Sequence, residues 1–143
     1  MTWFDKVMRR NPDFVIGEPT APYMRRWWII PRNRFANIYL HEFLRSDDDR
    51  ALHDHPWLNA SVLLRGHYWE HTATGVALRI AGDIAFRLPT TAHRIEISAP
   101  CVTLFLTGPR VREWGFHCPN GWVHWQKFTM PTAHGQIGRG CGQ

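Results

Sequence analysis

His53-Asp54-His55-Pro56-Trp57 is the stretch from which the fold and the chemistry of this 143-residue chain are read. In an extended chain residues two apart share a face, so His53 and His55 point together while Asp54 faces the other way. Two converging imidazoles hold a divalent metal when a third ligand arrives from another strand. Such a ligand follows in Gly82-Asp83-Ile84-Ala85-Phe86-Arg87-Leu88-Pro89-Thr90-Thr91-Ala92-His93. A Gly-Asp turn, one strand, a proline turn and a histidine opening the next strand return His93 toward the first pair.

Outward from these segments the chain reads as β-structure. Short runs rich in Ile, Val, Phe, Trp and Tyr, separated by turn residues, span 27–30, 35–45, 57–65, 67–72, 77–80, 83–87, 93–97, 102–107 and 113–117. Candidate strands in this number, with no helical pattern between them, predict an all-β sandwich or barrel. Only Thr2 to Arg10 has helical spacing, with Trp3, Phe4, Val7 and Met8 on one face. Asn11-Pro12, Gly17, Pro19 and Pro22 then predict an irregular connection over 11–23, and the glycine-rich last ten residues predict a frayed tail. The expected organisation is a basic N-terminal segment over 1–34 packed on a barrel over 35–130, followed by a flexible tail over 131–143.

The two histidine segments resemble the two sequence motifs of the cupin superfamily. His53, His55 and Gly66 match the first motif, with Asn59 standing where that motif has a glutamate; Gly82, Asp83, Pro89 and His93 match the second. The resemblance covers about residues 41–107 and implies a single jelly-roll barrel with one divalent metal held by His53, His55 and His93. Loss of the glutamate implies a three-histidine site, as in the thiol dioxygenase branch, or a site whose metal binding has weakened.

Three neutral imidazoles leave the full dipositive charge on the metal, so such a site favours anionic ligands such as a carboxylate, a thiolate or a deprotonated hydroxyl. Iron is the first expectation, with zinc, manganese or nickel as alternatives. Iron there suits dioxygen chemistry on a small anionic substrate; zinc or manganese suits isomerisation, epimerisation or plain ligand binding. His55 stands where 2-oxoglutarate oxygenases carry an aspartate, which argues against that class. Strand parity places Tyr39 and His41 on one face entering the first motif as candidate catalytic groups, His41 being the better proton carrier. Asn59 and Ser61 continue the face of His55 and are candidates to orient substrate or to support the ligands from behind, while Arg110 and Arg112 are candidates to clamp a substrate anion or, more simply, to pair with Glu113 on the surface.

His67-Tyr68-Trp69-Glu70-His71 spells the H-x-x-E-H of inverted zinc metallopeptidases, but that chemistry needs a helix, and Gly66, Tyr68 and Trp69 favour a strand. The aspartate run 47–49 lacks the glycine and distal glutamate of a calcium loop and reads as a solvated turn. Cys101, Cys118 and Cys141 are odd in number and form no C-x-x-C pair, so neither a disulfide nor a thiolate zinc site is expected, and a cytoplasmic setting fits. No run approaches the roughly 20 apolar residues of a membrane span. The net charge of +5 is concentrated in the first 34 residues, interleaved with Trp27 and Trp28; without a recognisable DNA-binding helix pair, a nucleic-acid partner is not favoured. Exposed edge strands and eight tryptophans are compatible with a homodimer.

Overall fold

In the computed structural model, which describes residues 1–47 and 51–142, two six-stranded antiparallel sheets face each other. The first contains β1 (Phe14–Glu18), β2 (Ala21–Trp28), β3 (Asn37–Phe43), β5 (Asn59–Arg65), β8 (Ile84–Arg87) and β10 (Cys101–Thr107), in the order β1-β2-β3-β10-β5-β8. The second contains β4 (Leu52–His53), β6 (His67–Thr72), β7 (Gly75–Ile80), β9 (His93–Glu96), β11 (Gly115–Cys118) and β12 (Gly121–His124), in the order β12-β11-β4-β9-β6-β7. A helical turn, α2 (Trp125–Phe128), and a hairpin of β13 (Thr129–Met130) with β14 (Ala133–Ile137) follow. The all-β jelly-roll expectation therefore holds.

Alternation along the strands divides the molecule into two apolar layers. Met24, Phe43, Leu63 and Cys101 from the first sheet meet Tyr68 and Ile95 from the second, closing the barrel interior at one end. The residues of opposite parity, Trp27, Leu40 and Val102, form the outer face of the first sheet, where Phe4 covers them. Phe4 is presented by α1 (Trp3–Met8), whose capping box has Thr2 Oγ1 accepting from the Asp5 amide at 3.1 Å and Asp5 Oδ2 accepting from the Thr2 amide at 2.9 Å. Burying such large side chains contributes roughly 1.5–3 kcal/mol apiece. The β5–β6 turn depends on Gly66, which has φ +84° and has its Cα hydrogens packed so closely that a Cβ would meet Cys101 Cβ at 3.0 Å.

Four expectations are corrected. Residues 11–23 are not an irregular connection, because β1 and the start of β2 form a hairpin. Its breakers are accommodated: Pro19 lies in the turn, Gly17 sits at a register shift, and Pro22 precedes the stretch of β2 that pairs with β3, so its missing N–H costs that pairing nothing. The stretch 1–34 thus supplies two strands of the barrel sheet instead of only resting on it. The expected tail instead carries β14 over Ala133–Ile137, which lies against β1, and a Cys118–Cys141 disulfide joins the end of β11 to this segment, where no disulfide was expected. Cysteine spacing could not show that pairing, since the strand turns of 118–140 bring together residues 23 apart. Asp48 and Asp49 of the aspartate run lie outside the described residues, and no helix among those described is long and apolar enough to cross a membrane.

Candidate metal centre

β4 and β9 pair antiparallel with His53 directly opposite His93, and His55 follows two residues after His53 where the chain leaves the sheet. The ring centroids form a nearly equilateral triangle: 5.1 Å from His53 to His55, 4.9 Å from His53 to His93 and 5.1 Å from His55 to His93. One nitrogen from each ring lies within 4.8 Å of the other two. Burial makes protonation unfavourable at all three: it pulls His53 down, His55 well down, and His93 to about 4. They are therefore neutral near pH 7, the state in which imidazole donates a lone pair to a metal. Nδ1 of His55 is buried with no hydrogen-bond partner among the described residues, an arrangement that is costly unless a cation completes it. The donor set fits a divalent transition metal.

Behind the triangle lies a buried polar network that fixes one ligand. Nδ1 of His93 donates to Glu70 Oε2 at 2.9 Å, which leaves its Nε2 lone pair free. Glu70 is 4% exposed and also receives Nε of Arg87 at 2.9 Å and Nη2 of Arg79 at 3.0 Å. Burial opposes its ionisation, but the His93 hydrogen bond and the Arg87 guanidinium outweigh that and hold its carboxyl well below the usual range. Arg87 in turn donates to Asn59 Oδ1 at 3.3 Å and Ser61 Oγ at 3.1 Å. Asn59 and Ser61, expected either to orient substrate or to support the ligands from behind, hold Arg87, and Arg87 holds Glu70.

A second network fixes the other two ligands from outside. Asp54, 1% exposed, accepts from the Gly115 amide at 2.8 Å, from His117 Nε2 at 3.0 Å and from Trp122 Nε1 at 3.0 Å, and pairs with Arg112 at 3.0 Å. Because Asp54 has the opposite parity to its neighbours, this clamp pins the chain on both sides of it with His53 and His55 turned inward. Burial is again the largest influence and opposes ionisation, yet these donors keep the Asp54 carboxyl below its ordinary value. Arg112 further donates to the carbonyls of His55 and Pro89, while Arg110 pairs with exposed Glu113 at 2.9 Å. Arg110 is thus engaged at the surface, while Arg112 braces the backbone of the ligand His55.

Tyr39 and His41 lie on the inner face of β3, with the His41 ring 5.1 Å from Phe105 and Phe105 6.3 Å from His55. His41 Nε2 accepts from Arg26 Nε at 2.9 Å. Burial, then the Arg26 charge, hold the His41 pKa well below 6.5. His67 and His71 are on strand β6, where His71 contacts Glu96 at 2.6 Å, and neither belongs to the triangle. Glu70, Arg87, Asp54 and Arg26 were not recognised from the sequence as site residues. Parity was the available signal for Glu70 and Arg87, since Glu70 opposes His67 and His71 on β6 and Arg87 shares the inward face of Ala85 on β8.

Solved structures share this architecture. A cupin-2 domain from Rhodospirillum rubrum superposes with a TM-score of 0.61 at 13% identity, covering 76% of this chain and 76% of that one. The chain has the cupin fold. A protein with a double-stranded β-helix domain from Klebsiella pneumoniae covers 81% of this chain and 95% of its own at TM-score 0.54 and 18% identity. An RmlC-like cupin from Shewanella frigidimarina covers 67% and 83% at TM-score 0.52 and 15% identity. No family model matches the sequence, and no curated protein does.

Proposed function

We propose that this cupin-fold chain binds one divalent transition metal through His53, His55 and His93 and acts as a mononuclear non-haem iron oxygenase on a small anionic substrate. The observation that carries the reading is the composition of the triangle: three converging imidazoles, His55 and His93 buried and His53 half-buried, with no carboxylate among them, the nearby Glu70 being turned onto His93 Nδ1. A divalent iron there supplies dioxygen chemistry and a positive centre for an anionic donor. The chain supplies the rest: Glu70 fixes the His93 tautomer, Asp54 fixes the direction of the His53–His55 pair, and Phe105 and Trp57, 5.8 Å apart, present an apolar wall beside His55.

The test is metal analysis followed by oxygen uptake. Protein purified without added metal is expected to carry close to one transition metal per chain, and a His53→Ala/His55→Ala variant essentially none. Iron-loaded protein is expected to consume dioxygen when given short thiol or hydroxy acids, and zinc-loaded protein is expected not to. Weak iron binding with no uptake for any such acid, together with tight zinc or manganese binding, would replace the oxygenase by an isomerase, an epimerase or a ligand-binding module of the same fold.

A further inference from the structure

The outer face of the first sheet is covered unevenly. Phe4 of α1 lies on Trp27, Leu40 and Val102 at one part of it. Toward β8 the face opens to solvent instead: Ile84 is 69% exposed, Phe86 65% and Leu88 55%. Register sets the side chains there in rows. Ile84 lies beside Val62 and Val62 beside Leu104; Phe86 lies beside Ala60 and Ala60 beside Leu106. Val62, Leu104, Ala60 and Leu106 are half-buried, whereas Ser61, Leu63, Ala85 and Arg87, which alternate with them, are buried on the barrel side. The rows thus form an outward surface, and no side chain in them carries a charge.

Size and composition say what covers this surface. At their exposures the seven apolar side chains of the rows and Leu88 present on the order of 500 Å², within the range of the largest apolar patches that monomers show and more than half of the roughly 800 Å² that each partner gives to a standard interface. An acidic protein or an anionic surface seeks cations, and these rows hold charge of neither sign. Identical apolar rows brought together by a two-fold rotation match one another and bury no unpaired charge. Sheets pack in this way, face to face, in β-sandwiches. Among the described residues β8 is bonded to β5 alone, so the rows end at a free sheet edge, the kind of edge at which chains associate.

We propose that this face is the interface of a homodimer, in which the β10–β5–β8 face of one chain packs on the same face of a second copy and buries Ile84, Phe86 and Leu88 of both. The surface lies on the opposite side of β5 from Asn59 and Ser61, so it stands apart from the metal-site reading.

Sedimentation equilibrium of the full chain tests this. A mass twice that of one chain is expected at micromolar concentration. Ile84→Lys/Phe86→Lys is expected to sediment as a monomer and to keep the far-ultraviolet circular dichroism of the unaltered protein, since neither side chain is part of the barrel interior. Leu78→Lys, at an equally open position on β7 of the second sheet, is expected to remain dimeric. Should the lysine pair misfold, Ile84→Thr/Phe86→Thr reduces the apolar contact with a strand-forming residue and is expected to raise the dimer dissociation constant at least about 10-fold. A monomeric unaltered protein, an unchanged dissociation constant in either folded pair, or a dimer abolished by Leu78→Lys overturns the proposal. A monomer that binds phospholipid vesicles and loses them in Ile84→Lys/Phe86→Lys overturns it as well, making the face a membrane surface.

Discussion

The decisive atom at the residue scale is Nδ1 of His93. Its bond to Glu70 puts a carboxylate behind a metal ligand, which fixes the ring and raises the basicity of the nitrogen facing the site. Glu70→Gln keeps the shape and loses the charge, so metal affinity is expected to fall about 10–100-fold while the fold is retained; competition titration against a chelator measures it. Cys101 offers a contrast. It is fully buried, and that burial pushes its thiol up to about 12. Native protein is expected to show no reactive thiol toward a maleimide at pH 7, and denatured unreduced protein to show one, because Cys118 and Cys141 are bonded to each other. Three reactive thiols in the denatured, unreduced protein would mean that the disulfide does not form.

Parity carried most of what could be read in advance at the scale of elements, and its limits mark what could not. The central runs survive as β3, β5, β6, β8, β9 and β10 with boundaries shifted by a few residues, because their alternation is enforced by a core on one side. The pairing of His53 with His93 was foreshadowed by a turn, a strand and a second turn of the right lengths. β1 was missed because an edge strand tolerates the glycine and prolines that read as breakers, and β4 because two residues carry no periodicity. Inward parity placed Asn59 on the correct face but could not name Arg87 as the group it meets there. β6 yields a prediction of its own. On this strand Glu70 faces inward and His67 and His71 do not, so His67→Ala and His71→Ala are expected to keep their metal at the level of the unaltered protein. Loss of metal in either, read by elemental analysis, would contradict the strand assignment of the histidine-rich motif. The disulfide belongs at this scale too: it closes a loop of 23 residues, so Cys118→Ser is expected to lower stability by about 3 kcal/mol in urea unfolding.

Over the whole molecule, the barrel holds a cluster of neutral histidines that water would rather protonate, and this ties stability to pH. His93 ordinarily titrates near 6.5 and in the folded chain near 4, with His53 and His55 shifted in the same direction. Glu70 does not reverse the shift at His93, because burial is the larger influence and the charges of His53 and Arg87 add to it. A depressed folded pKa means that the unfolded chain binds more protons between the two values, so the stability associated with the neutral ring is complete above about pH 6.5. It declines as pH falls toward 4, by an amount on the order of 3 kcal/mol for His93 alone. Metal-free protein is therefore expected to have a melting temperature that is nearly level from pH 8 to 7 and falls between pH 6.5 and 4. A metal on the same nitrogens competes with protons and binds the folded chain preferentially, so the zinc-loaded protein is expected to melt higher at pH 7 and to begin its decline at lower pH. Thermal melts of both forms across this range make the comparison. A metal-free melting temperature that stays level down to pH 4.5 would show that these histidines are not held as neutral rings by burial, and a zinc-loaded curve that coincides with the metal-free one would show that they do not gather on zinc.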